Sequence, residues 1–101
     1  MDRFKIYEDG QIFPLAAAPL IWHMEALLGS PKLTSASLSN GLVLVLRLNP
    51  AGTPKNEVAT AVLKQAGWKA GVVWGPALVL PASDLLDKGI YTLSPPSNDP
   101  L

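Results

Sequence analysis

Asn40-Gly41-Leu42-Val43-Leu44-Val45-Leu46 is the stretch on which the fold turns. Asn-Gly supplies the two positive-φ residues of a tight hairpin turn, and five consecutive aliphatic residues follow it. A strand without alternation has no face to give to water, so this run predicts a central strand covered on both sides. Its hairpin partner, Lys32 to Ser39, does alternate: Ser35, Ser37 and Ser39 fall on one side, Thr34, Ala36 and Leu38 on the other. That pattern predicts a strand nearer the sheet edge, with its serines toward solvent.

Toward the N-terminus, Phe4-Lys5-Ile6-Tyr7 and Ile12-Phe13-Pro14-Leu15 flank Asp9-Gly10, a second hairpin signal. Pairing across a two-residue loop sets Ile6 opposite Phe13 and Phe4 opposite Leu15, one apolar face. Pro14 has no amide donor, which places its strand at an edge or beside a bulge. Pro19, Gly29 and Pro31 then bracket a helix over 19–28. At 100° per residue Leu20, Ile21, Met24, Leu27 and Leu28 form its apolar stripe, Trp22 and Ala26 point away from it, and His23 and Glu25 lie on its borders.

Toward the C-terminus, Pro50, Gly52 and Pro54 break regular structure between Asn49 and Asn56, and Thr53 or Asn56 can cap the next helix. That helix carries Val58, Ala59, Val62, Leu63 and Ala66 on one face and Glu57, Thr60 and Lys64 on the other, and Gly67 ends it. Gly71 to Leu80 reads as a strand kinked at Gly75-Pro76. Ser83 can cap a short turn through Asp84 to Asp87, closed by Gly89, before a last extended piece at Ile90 to Leu93. The order β-β-α-β-β-α-β predicts an α+β fold: a mixed sheet of four to five strands with two helices packed on one face. The expected domain is 1–93, followed by a flexible proline-rich tail at 94–101.

Composition narrows the function. The chain has 101 residues, eight Lys and Arg against eight Asp and Glu, one His, no Cys, and 49% hydrophobic residues. A balanced charge scattered along the chain argues against nucleic-acid binding, which needs a basic face. The longest apolar stretch, Ile12 to Trp22, is about half a bilayer span, and the residues before it carry both charge signs, so neither a membrane segment nor a signal peptide is expected. The absence of cysteine fits a cytoplasmic protein.

The inventory for catalysis is small. His23 is the lone imidazole and has no nucleophile motif around any serine, so no catalytic residue, metal site or cofactor is expected. Asp84 and Asp87 read as a solvated pair matched to a helix N-terminus. The best ligand candidate is the loop carrying Gly52, Thr53, Lys55 and Asn56 ahead of a helix, where free amides attract an anion such as a nucleotide phosphate. The aromatic residues point elsewhere: Trp22, with Ala26 beside it on the outer helix face, and Trp68 after a helix terminator are the expected interaction residues, while Trp74 is expected in the core.

Three short motifs, Gly41 to Val45, Pro54-Lys55-Asn56-Glu57-Val58-Ala59-Thr60 and Val73-Trp74-Gly75-Pro76-Ala77-Leu78-Val79, resemble an uncharacterised domain-of-unknown-function family of small phage and mobile-element proteins. The resemblance spans about residues 4–80, with Asn56, Gly75 and Pro76 at matching positions, and implies an accessory protein. The expectation is thus a non-enzymatic protein that binds and modulates or inhibits a host protein through an apolar, aromatic surface. A homodimer using the same surface is compatible with it; the alternative is a small-ligand or nucleotide binder built on Gly52 to Asn56.

Overall fold

Strands β1 (Phe4–Ile6) and β2 (Ile12–Pro14), helix α1 (Ile21–Leu28), strands β3 (Leu33–Ser37) and β4 (Leu42–Arg47), helix α2 (Glu57–Gln65), strand β5 (Ala77–Pro81), a 3-10 turn (Ala82–Leu85) and strand β6 (Thr92–Leu93) follow one another in the computed structural model. It describes residues 3–29, 32–38, 41–47, 52–68, 71–85, 90 and 92–93. The expected turn at Asn40, the loop at 48–51, Pro31, the Asp87–Gly89 closure and the tail at 94–101 lie outside these residues. The strands form one sheet in the order β2-β1-β5-β4-β3-β6, antiparallel throughout except for β3 beside β6. This is the expected α+β fold with a mixed sheet, one short strand wider than foreseen.

The two helices do not share a face. Leu44 of β4 and Ala77 and Val79 of β5 are buried with Ala59 and Leu63 of α2. Their neighbours Val43, Val45, Leu78 and Leu80 are buried with Met24 and Leu28 of α1. Successive side chains of a strand point to opposite sides, so aliphatic runs in two adjacent strands leave two apolar faces, and each needs its own cover. The expectation of both helices on one face is therefore corrected: the sheet is sandwiched between them.

The first hairpin is shifted by one residue from the expected pairing. Ile6 faces Ile12, Lys5 faces Phe13 and Phe4 faces Pro14. The connection is the three residues Glu8-Asp9-Gly10: Gly10 N–H donates to Tyr7 O, Tyr7 N–H donates to Gln11 O, and Asp9 Oδ1 accepts from Gln11 N–H. Gly10 stands at φ +91°, the left-handed position that closes a type I turn into a three-residue hairpin loop. A slip of one residue exchanges the faces of a strand, so Ile12 shares the α2 side with Ile6 and Phe13 shares the α1 side with Lys5. The outermost position of β2 fits Pro14 as foreseen.

Two hydroxyl residues expected at the surface are buried. Ser35 is wholly enclosed: it lies opposite Val45 on the face covered from the α1 side, and β6 beside β3 keeps that strand from being the edge. Thr60 of α2 is enclosed as well: its Oγ1 donates to Asn56 O and accepts from Val73 N–H. α2 closes in a Schellman arrangement, with Gly67 N–H donating to Lys64 O and Trp68 N–H to Leu63 O. Arg3 holds Asp84 through two parallel bonds, Nε to Oδ2 at 2.7 Å and Nη2 to Oδ1 at 3.0 Å, fastening the entry to β1 onto the 3-10 turn after β5.

Double-mutant cycles read the sandwich directly. Leu44→Ala combined with Leu63→Ala, two residues of one core, should couple by about 0.5 kcal/mol or more in urea unfolding, whereas Leu44→Ala with Met24→Ala should add within about 0.3 kcal/mol.

Candidate functional site

α1 is held by one stripe. Met24 and Leu28 are buried and Ile21 and Leu27 pack beside them, while Gly29, at φ +72°, caps the helix by donating its N–H to Glu25 O. Leu20, expected in the stripe, is the extended N-cap residue and stands half exposed. On the opposite side Trp22 is 57% exposed, and His23 and Ala26 are exposed with it. The rings of Trp22 and His23 lie 3.7 Å apart between centroids at 41°. His23 is thus part of an aromatic surface.

This surface ends a longer apolar run. From Ile12 to Ile21 no side chain carries a polar group, Trp22 adds only its indole N–H, and all of these residues except Leu15, Pro19 and Ile21 are exposed. β2 lies at the sheet edge with all three of its residues exposed, and in the segment that joins it to α1 Ala16, Ala17, Ala18 and Leu20 are exposed while Pro19 is buried. Exposed apolar residues are ordinary when scattered singly. A contiguous set marks a contact surface.

The other two tryptophans sit elsewhere. Trp68 packs against the core on the α2 side and donates its Nε1–H to Ser37 O at 2.9 Å, so it anchors the end of α2 to β3. Trp22 and Trp68 therefore lie on opposite sides of the sheet and share no surface. Trp74, expected in the core, is 42% exposed, because the segment before Gly75 leaves the ladder and makes only a single bridge with Lys55. The expectation for Trp74 is corrected accordingly.

The loop proposed for an anion is built around Asn56, which is 0% exposed. Its Nδ2 donates to Ile6 O at 3.0 Å and to Gly75 O at 2.9 Å, its Oδ1 accepts from Ala59 N–H at 3.0 Å, and its own N–H donates to Val73 O at 2.7 Å. Enclosed in this way Asn56 cannot touch a ligand. Gly75 N–H donates to Pro54 O, and a Cβ at Gly75 would sit 3.3 Å from Thr53, so the loop and the kinked segment pack without room for a side chain between them. Gly52 and Lys55 remain exposed, with Lys55 Nζ 3.9 Å from Glu57 Oε1. The structure keeps these two at the surface and takes Asn56 away from them.

Other chemistry is sparse among the described residues. No three His, Cys, Asp or Glu side chains gather in a metal-holding cluster. Asp84 is engaged by Arg3. An open cleft of about 260 Å³ on the α2 side is lined by Phe4, Leu38, Leu42, Val62, Gln65, Ala66 and Val79, with Gln65 its only polar side chain. No helix among these residues is long and apolar enough to cross a membrane. Sequence reasoning missed the exposure of β2 and of Trp74 and the Arg3–Asp84 clasp; for β2, the edge signal of Pro14 was the available hint.

No protein-family model matches the chain, and neither curated proteins nor solved structures give a match. Asn56 and Gly75, two of the residues on which the resemblance was expected to rest, have architectural roles here.

Asn56→Ala removes the cap of α2 and leaves the carbonyls of Ile6 and Gly75 short of a donor, so it should cost about 2–4 kcal/mol in urea unfolding. Lys55→Ala in the same loop should stay within about 0.5 kcal/mol of the parent.

Proposed function

We propose that this chain is a non-enzymatic binding protein that modulates or inhibits a protein partner, with Trp22 at the centre of the contact and Leu20, His23 and Ala26 around it. The observation that supports this reading is the largely exposed, uncharged apolar run that ends at Trp22. Trp presents a large rigid ring at little conformational cost, and the exposed Ala26 beside it has no side-chain freedom to lose on association. Such a surface is preorganised for an apolar partner face. An accessory protein of phage or mobile-element type, as the short motifs imply, would act in this manner.

The class of partner follows from charge. The charged residues next to the run in sequence, Glu8 and Asp9 before it and Glu25 after it, are acidic, and Lys5, the cation opposite Phe13, is buried with its Nζ over the Tyr7 ring. Acidic borders repel both nucleic-acid phosphates and anionic lipid headgroups, which leaves a protein surface with an apolar centre. The nucleotide-binding alternative at Gly52, Thr53, Lys55 and Asn56 is not favoured, because its amide side chain is enclosed.

A photo-reactive residue in place of Trp22 should give one discrete adduct with a heterologous protein in cells of the source organism, and the same residue in place of exposed Lys64 should not. Adding Ala26→Glu should abolish the adduct. Adducts that are the same from both positions would end this reading. Trp22→Ala should leave the unfolding free energy within about 0.5 kcal/mol, as expected of a residue outside the core.

A further inference from the structure

The geometry of the outer strand points to a second occupant: we propose that two copies of this chain pair edge to edge through β2, antiparallel, about a two-fold axis at Ile12. The hydrogen bonds from Tyr7 N–H to Gln11 O and from Leu15 N–H to Arg3 O fix the ladder of the first hairpin. In an antiparallel pair, residues that exchange bonds alternate with residues that do not. Arg3–Leu15, Lys5–Phe13 and Tyr7–Gln11 are then the bonded pairs, and Ile12 and Pro14 turn their backbone groups outward.

Pro14 has no N–H, so along β2 this edge offers a single donor, Ile12 N–H, flanked by the acceptors Ile12 O and Pro14 O. A long foreign strand needs a donor at every second residue and would find one. A two-fold pairing centred on Ile12 instead uses that donor and its own acceptor reciprocally and asks nothing of Pro14. The edge suits a short self-complementary contact, the isologous kind that closed dimers use.

Side chains and charge agree with this arrangement. Ile12 is 52% and Phe13 49% exposed, and they lie on opposite faces of β2. Phe13 is held in place by an edge-on contact with Tyr7 at 5.3 Å, and Lys5 Nζ sits 4.2 Å above the Tyr7 ring. The edge is limited by its three-residue length and by Pro14, which bar a long foreign strand, but no charged side chain lies between Gln11 and Leu15 to oppose a short pairing. The formal net charge of the chain is zero, so two copies do not repel as wholes. With Ile12 on the axis, the two Asp9 residues would stand roughly 20 Å apart at the strand rise, beyond a Debye length. The pairing is centred on Ile12 of β2 and the partner contact on Trp22 of α1, so although both draw on the same exposed run, substitutions at the two positions separate them.

The chain has no cysteine of its own, which makes the axis directly testable. Position 12 would face itself at a Cα separation of about 5.5 Å, within disulfide range. Under mild oxidation Ile12→Cys should form a covalent dimer at least roughly tenfold faster than Lys64→Cys. In sedimentation the parent chain should show a reversible monomer–dimer equilibrium from low to high micromolar concentration; Ile12→Lys should abolish it and Trp22→Ala should leave it intact. A parent chain that stays monomeric throughout, equal cross-linking rates at positions 12 and 64, a dimer that survives Ile12→Lys, or one lost in Trp22→Ala would each overturn the proposal. Should Ile12→Lys fail to fold by circular dichroism, the cysteine pair decides alone.

Discussion

One buried amide organises this molecule. Asn56 reaches a carbonyl at the end of β1, a carbonyl at the bend before β5 and an amide in the first turn of α2, partners 50, 19 and 3 positions away. Buried backbone groups at the ends of strands and helices have no ladder partner and must find one elsewhere. Asn is suited to this because one side chain both donates twice and accepts. Thr60 repeats the device one turn later, joining Asn56 O to Val73 N–H. Together they fix where α2 begins and how it lies on the sheet, and the core on that side assembles around the result.

The exposed apolar run follows from the same economy of elements. β4 and β5 carry aliphatic residues on both faces, so each of the two helices is committed to one side of the sheet centre. α1 has eight residues and α2 nine, lengths of about 12–14 Å at the helical rise. Six strands at nearly 5 Å spacing are wider than that. β2, outermost, is left without cover, and its apolar residues and those that lead into α1 meet solvent.

Much of this was legible in the sequence, and the failures have specific causes. Gly and Pro mark the ends of elements, so the order of strands and helices was readable. The register of the first hairpin was not, because Asp9-Gly10 serves a two-residue loop and the last two positions of a three-residue loop equally well. The unbroken run at Leu42 to Leu46 demanded cover on both faces, and the assumption of helices on one side conflicted with it; the strand was the better witness. Ser35 and Thr60 were misplaced because a hydroxyl can satisfy itself on a distant backbone, and that partner is invisible in local pattern. Helical periodicity did reveal the exposure of Trp22, since one turn of a helix fixes a direction. The bond of Asn56 to Ile6 O and that of Trp68 to Ser37 O span 50 and 31 positions and could not be read locally, although the capping role of Asn56 could.

The placement of β1 between β2 and β5 governs the order of events at synthesis. The first hairpin made has no neighbour in the sheet until residues 77–81 exist, and Arg3 must wait longer still for Asp84. Contacts this distant in sequence close late and make folding slow. While the chain is still growing on the ribosome this hairpin is therefore unsheltered until β5 exists, and the stretch that stays at the surface in the finished protein is open to nascent-chain chaperones throughout that interval.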